Sequence, residues 1–191
     1  MRGQGKMLGF ALLGIVGVVV LMALYVWSAY NGLVRLDQGV QNAWSQVENQ
    51  LQRRYDLIPN LVETVKGYAK HEAEVFEKVT EARSRWAGAS GASDKAAAAT
   101  NVESSLSRLL LVAENYPQLQ ASQNFRDLHF SLEGTENRLA TERMRFNDAV
   151  RDFNTAIRVF PSNLIAGRFG FKEAAYFKVE ERAKENPKVK F

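Results

Sequence analysis

The chain begins with a long apolar run and continues with apolar residues at helical spacing. Residues 7–27 include no charged side chain. At about 1.5 Å per residue a helix of this length measures about 31 Å, close to the hydrocarbon thickness of a bilayer. The run therefore predicts a transmembrane anchor over 7–28. The alternative is a cleaved signal peptide, which the length of the run and the missing small-x-small pattern after it disfavour.

Beyond the anchor, apolar residues recur at steps of three and four, which is typical of helices packed on one face. The first stretch extends from the anchor to Asp56, the expected N-cap of a second helix that begins at Pro59. This second helix is predicted to extend to Trp86. Small residues at 87–93 form a turn, and a third helix follows that ends at Pro117.

The longest periodic stretch is the last one, in which a 3–4 alternation continues from Phe125 to Phe160. Thr135 and Glu142 stand in this seam, where we interpret them as polar residues that pair across helices or fix register. Four helices joined by short turns pack antiparallel. The prediction is an all-α fold with an N-terminal transmembrane helix, a long antiparallel four-helix bundle and a short C-terminal tail.

This pattern divides the chain into four predicted parts. A short N-terminal segment covers 1–6, the anchor 7–28, the bundle 29–160, and an apolar docking tail with a charged end 161–191. The tail is expected to contact either another copy of the chain, giving a homo-oligomer, or the open end of its own bundle. Its candidate oligomer contacts are Leu164, Ile165, Phe169, Phe171, Tyr176 and Phe177.

Charge adds a prediction about partners and orientation. The net charge is +4, and the surplus of basic residues lies at the two ends of the chain rather than in one stripe. This distribution fits membrane lipid as a partner and gives no indication of nucleic acid. Arg2 and Lys6 precede the anchor, whereas only Arg35 follows it closely. The positive-inside rule then predicts an N-terminus in the cytoplasm and a bundle on the periplasmic or extracytoplasmic side of the membrane.

The residues that catalysis requires are sparse. There is no cysteine, and the two histidines are His71 and His129. His71-Glu72 would need a second histidine at Val75 for a zinc-protease helix, and neither histidine follows a Glu at the spacing of a di-iron bundle. No serine lies in a Gly-x-Ser-x-Gly elbow. We therefore predict no enzyme activity, no metal site and no cofactor.

The densest polar cluster lies at the turn between the first two bundle helices. It consists of Arg53, Arg54, Asp56 and Asn60. One interpretation is a structural corner, in which the arginines pair with carboxylates and helix-end carbonyls. The other is a recognition surface for lipid headgroups or for a protein.

Several blocks of the sequence resemble the LemA family. These are YNGLV at 30–34, AWSQVE at 43–48, QRRYDLIPNLV at 52–62, VKGYA at 65–69, AENYPQL at 113–119, GTENR at 134–138 and FPSNLIAG at 160–167. Phe-Asn pairs at 146–147 and 153–154 belong to the same pattern, although relatives often have Tyr in place of Phe. The resemblance implies a bacterial or archaeal single-pass membrane protein with long antiparallel helices, and it carries no catalytic residue over.

Two functions are consistent with these observations. The first is a membrane-anchored scaffold or organiser that self-associates at the bilayer, favoured by the anchor and by the unbroken seam. The second is a membrane-tethered binding module that recruits or senses another membrane or envelope protein. An enzyme built from dispersed groups would need a pocket that holds carboxylates or histidines with shifted pKa values.

Overall fold

The computed structural model describes residues 2–177, with side chains from residue 12 onward. Within this range the chain forms seven α-helices and no strand, so the predicted all-α fold is confirmed. The helices are α1 Arg2–Tyr55, α2 Ile58–Lys66, α3 Ala73–Gly88, α4 Gly91–Glu114, α5 Pro117–Gln120, α6 Gln123–Arg158 and α7 Ser162–Phe169.

Helix α1 holds both the apolar run and the first bundle helix without a break. Residues 12–28 are exposed along their whole length, and the first buried side chain of α1 is Leu33. The most apolar window of 18 residues has a mean hydropathy of 2.4 and none of it is buried. Of the residues described, this is the one helix long and apolar enough to cross a membrane. Positions 7–11 of the predicted anchor lie outside the described side chains.

The chain divides into two compact units, to which α1 and α6 both contribute. The anchor unit comprises residues 1–41 and 149–174, and the bundle unit comprises 42–148 together with the residues after 174. In the anchor unit the buried apolar side chains are Leu33, Val40, Val150, Phe153, Ile157, Ile165 and Ala166.

The bundle unit contains four long helical segments and the short helix α5. Its first segment is the end of α1 continued by α2, and α3, α4 and α6 supply the others. Arg54 contacts Leu132 whereas Trp44 contacts Phe146, so α1 and α6 run in opposite directions. The fully buried core includes Val47, Leu51, Leu61, Val65, Val79, Leu106, Leu109 and Leu139. These residues confirm the predicted antiparallel bundle.

Two local predictions about the second helix are wrong. The expected single helix to Trp86 is broken, because α2 ends at Lys66 and α3 begins only at Ala73. Gly67 follows α2 directly, and glycine has a low propensity for helices. Asp56 does not cap α2: its amide still bonds to Gln52 O at 2.9 Å, so Asp56 belongs to the last turn of α1. The N-cap of α2 is Leu57, with no side-chain hydrogen bond.

Candidate functional site

A buried group of charges lies inside the bundle unit, centred on Arg54 of α1. The side chain of Arg54 is 8% exposed. Its Nη1 donates to the Leu132 carbonyl at 2.8 Å, and its Nη2 donates to Glu103 Oε2 at 2.9 Å. Glu136 Oε2 lies 3.0 Å from Nη1, close enough for an ion pair but without hydrogen-bond geometry. Arg54 therefore connects α1 to both α4 and α6.

Two further side chains complete this group, which we call the ion cluster: Arg54, Tyr55, Glu103, Glu136 and Arg143. The hydroxyl of Tyr55 lies 3.3 Å from both Glu103 Oε1 and the Ala99 carbonyl. Arg143 Nη1 lies 4.0 Å from Glu136 Oε1. Burial raises the pKa of the Glu103 carboxyl above its usual range, and the nearby Arg54 only partly opposes this. Burial likewise raises the pKa of Tyr55.

The ion cluster balances its charge, with two arginines against two glutamates. A buried ion pair adds little net stability over an apolar pair, but it penalises any packing that separates the partners. Three helices supply the charges, so the arrangement is specific for one register of α1, α4 and α6. This geometry suits helix positioning.

The four corner residues predicted from sequence differ in exposure. Arg54 is buried, whereas Arg53, Asp56 and Asn60 are exposed. Asp56 Oδ1 accepts a hydrogen bond from the Gln52 amide at 2.7 Å and lies 3.7 Å from Arg83 Nη2. The structure thus separates an interior structural residue from three surface residues.

The polar residues in the α6 seam bond within their own helix. Thr135 is buried and its hydroxyl donates to the Leu132 carbonyl at 2.8 Å. Glu142 accepts from Arg145 at 2.7 Å. The side chain that reaches another helix is Glu136, one position beyond Thr135, whereas Arg143, one position beyond Glu142, contacts Glu136 and the Phe177 ring of the tail. Sequence reasoning missed them, although two opposite charges seven residues apart beside a seam were a usable signal.

The tail docks through two asparagines of α6. In the anchor unit, Asn154 Nδ2 donates to the Ala174 carbonyl at 2.9 Å, and the Ala174 amide donates to Asn154 Oδ1 at 2.9 Å. In the bundle unit, Asn147 bonds in the same reciprocal way to the backbone of Phe177, at 3.1 and 2.9 Å. The repeated Phe-Asn pairs noted in the sequence therefore supply the partners of the extended tail backbone.

Aromatic contacts accompany these hydrogen bonds. In the bundle unit, Phe177 is buried, stacks on Trp44 at 6.3 Å, and lies 4.6 Å below the Arg143 guanidinium. In the anchor unit, the Phe171 ring lies between Tyr30 and Phe153. Of the six candidate oligomer contacts, Ile165 and Phe177 are buried within the chain and Phe171 is half-buried. Leu164, Phe169 and Tyr176 are exposed.

The two histidines and two surface grooves are further candidates for a metal site or a catalytic group. Within the residues described, no three His, Asp or Glu side chains are placed to hold a metal. His71 is exposed in the α2–α3 turn, and His129 lies 3.6 Å from Glu133. A groove of about 380 Å³ beside His129 is lined partly by Phe125 and Phe130, and one of about 760 Å³ lies along α3.

Comparison with known proteins identifies the family. The profile described as "LemA family" matches residues 43–191. The chain belongs to the LemA family. The resemblance noted in the sequence is thereby confirmed, and with the exposed apolar helix it identifies a membrane-associated protein.

The individual relatives share about a quarter of their residues with this chain. The chain is 28% identical to Magnetosome protein MamQ 2 of Paramagnetospirillum magneticum, over 97% of this chain and 77% of that protein. Magnetosome protein MamQ of Magnetospirillum gryphiswaldense is 26% identical, over 90% and 71%. Protein LemA of Metamycoplasma hominis is 25% identical, over 79% and 69%.

Proposed function

We propose that this LemA-family chain is a membrane-anchored helical scaffold that self-associates at the bilayer and performs no reaction of its own. The observation that carries the proposal is the continuity of α1, in which the apolar run and a core helix of the bundle form one hydrogen-bonded helix. No loop separates the anchor from the bundle helix. A bundle that shares a helix with its membrane anchor is kept at the membrane, where neighbouring copies are close.

Two further observations support the scaffold. Apolar side chains remain exposed in the bundle unit, namely Leu111, Phe130 and Met144. Anchoring many copies in one plane raises their effective concentration, so weak contacts between such side chains are populated. Two of the relatives are named magnetosome proteins, a name that states no reaction.

The second candidate is a binding module for another membrane or envelope protein. The groove beside His129 favours it, because its lining combines the rings of Phe125 and Phe130 with the charged side chains of Arg126 and Glu133. A groove with both apolar and charged lining suits an amphipathic segment of another protein. This candidate requires the groove to bind a different chain, whereas the scaffold requires contacts between copies.

Orientation belongs to the same proposal. The basic residues before the anchor favour an N-terminus in the cytoplasm of a prokaryote and a bundle on the periplasmic or extracytoplasmic side. An alkaline phosphatase fused after Phe191 is expected to be active, since this reporter works only outside the cytoplasm. Activity of a cytoplasmic reporter at the same position would reverse the orientation.

Because the chain has no cysteine, single cysteines can test self-association in membranes. We expect Phe130→Cys or Tyr176→Cys, both at exposed positions, to form disulfide-linked dimers after mild oxidation of membranes. Leu139→Cys, buried in the core, is the matched control and should not crosslink. The particle in nanodiscs should contain more than one chain. A single chain per particle, with no crosslink at any exposed position, would refute self-association and leave the binding module.

A further inference from the structure

Three apolar side chains at the junction of α6 and α7 are open to solvent. Val159 is 49% exposed, Phe160 78% and Leu164 65%. We call this set the junction patch. The turn that presents it is held by hydrogen bonds from the Asn163 amide and the Ser162 hydroxyl to the Val159 carbonyl, both at 2.9 Å. Adjacent apolar side chains on a well-formed turn are a feature that a protein in water usually avoids.

The patch belongs to the anchor unit and lies near the end of the apolar run. The ring of Phe169, at the end of α7, packs against Tyr30 at 4.8 Å, and Phe171 packs against the same ring at 5.9 Å. Tyr30 lies three residues beyond Trp27, the last residue of the apolar run at 7–27, and the next charged residue is Arg35. Helix α7 is only about 12 Å long. Leu164, on this helix, is therefore close to Tyr30, which follows the apolar run on α1.

The pattern of burial agrees with this position. On α1 the first buried side chain is Leu33, and on α6 the last is Ile157. Beyond these two residues both helices carry exposed apolar side chains: residues 12–28 on α1, and the junction patch after α6. Trp27 and Tyr30 flank the boundary on α1, where aromatic residues are enriched at the headgroup level of a bilayer.

We propose that the junction patch inserts into the interfacial region of the bilayer that α1 crosses, so that the chain contacts lipid at two places. The exposed Arg168 and Lys172 flank it and are placed for anionic headgroups, while Arg158 is already paired with Glu173 at 2.5 Å. The anchor holds the patch at the surface, so even a weak apolar contact is occupied. Leu164 is thereby reassigned from the predicted oligomer contacts to a lipid contact.

Full-length protein with one cysteine tests this in vesicles of phosphatidylcholine and phosphatidylglycerol. An environment-sensitive fluorophore is attached at Phe160→Cys, at Leu164→Cys, or at Phe130→Cys as control. Phe130 is the control because it is 76% exposed and belongs to the bundle unit rather than to the anchor unit. Brominated lipids report contact with the bilayer, and iodide reports contact with water. The protein is diluted in excess lipid, so the result does not depend on the proposed self-association.

We expect labels at 160 and 164 to show blue-shifted emission and to lose most of their intensity with brominated lipid. The label at 130 should respond to iodide alone. If iodide quenches 160 and 164 as strongly as 130, the patch faces water and the proposal is wrong. If neither quencher reaches them, protein covers the patch, through a second copy or the chain itself, and the proposal is equally wrong.

Discussion

Replacing Arg54 by Met tests whether the ion cluster fixes the bundle. Methionine fills a similar volume but removes the charge, the hydrogen bond to the Leu132 carbonyl and the pair with Glu103. Hydrogen bonds to charged groups each contribute about 1.5–3 kcal/mol. Glu136 is 44% exposed, so its pair with Arg54 adds under about 1 kcal/mol. Breaking a buried pair costs about 3–5 kcal/mol.

The response of Glu103 to the loss of Arg54 sets the expected loss of unfolding free energy near the lower end of that range. Without Arg54, the pKa of Glu103 rises further. The carboxyl can then take up a proton, so no unpaired charge remains buried. We therefore expect Arg54→Met to lower the free energy of unfolding by about 3 kcal/mol. In the double variant Arg54→Met with Glu103→Gln, the loss should be smaller than the sum of the single losses, by about 1–2 kcal/mol.

Arg53 provides a matched control in the same turn of the same helix. It is exposed, so Arg53→Met should change the free energy of unfolding by less than about 0.5 kcal/mol. Urea unfolding of the full-length protein in detergent, followed by circular dichroism at 222 nm and by hydrogen exchange of α1 and α4, measures all four variants. Equal losses for Arg53→Met and Arg54→Met, or strict additivity in the double variant, would refute the role assigned to the ion cluster.

Three further predictions follow from the same contacts. Leu132→Asp should lower the free energy of unfolding in urea by at least about 3 kcal/mol, because it buries an unpaired charge in the seam. Arg138→Asp, at an exposed position, should not lower it by that amount. Asn154→Asp keeps the shape of the side chain but removes the donor to the Ala174 carbonyl, so it should speed trypsin cleavage in the tail. If Asn154→Asp and Asn154→Gln both left the cleavage rate unchanged, the docking of the tail through Asn154 would be contradicted. Because burial raises the folded-state pKa of Glu103, wild type should gain stability relative to Glu103→Gln as pH falls from 7 toward the ordinary carboxyl range; a pH-independent difference would argue against that pKa shift.

The apolar seam was predictable because it is a local property of the sequence. A 3–4 alternation between Phe125 and Phe160 predicted one long helix, and α6 covers Gln123–Arg158. Leu132, Leu139, Phe146 and Phe153 recur every seven residues, and all four are buried. Burial on one helix face depends only on helical period, which the sequence displays directly.

The polar contacts were not predictable in the same way, because they depend on how distant segments align. Arg54 and Glu103 are separated by 49 positions, and no local rule brings them to the same level of the bundle. The docking of the tail depends on an extended strand-like segment running beside α6, where Asn147 and Asn154 meet its backbone. Their spacing of seven was visible in the sequence, but their partners are backbone atoms, which a sequence pattern does not display.

The two kinds of contact have different consequences for the register of α6. An apolar seam with a period of seven tolerates a slip of one heptad, since a shift of about 10.5 Å places one apolar residue where another was. The polar contacts do not tolerate it. The same slip would keep a backbone carbonyl, that of Leu139, opposite Arg54, but it would bring Arg143 in place of Glu136 beside that guanidinium. The seam therefore accounts for the cohesion of the bundle, and the ion cluster for the choice of a single alignment among those that cohesion permits.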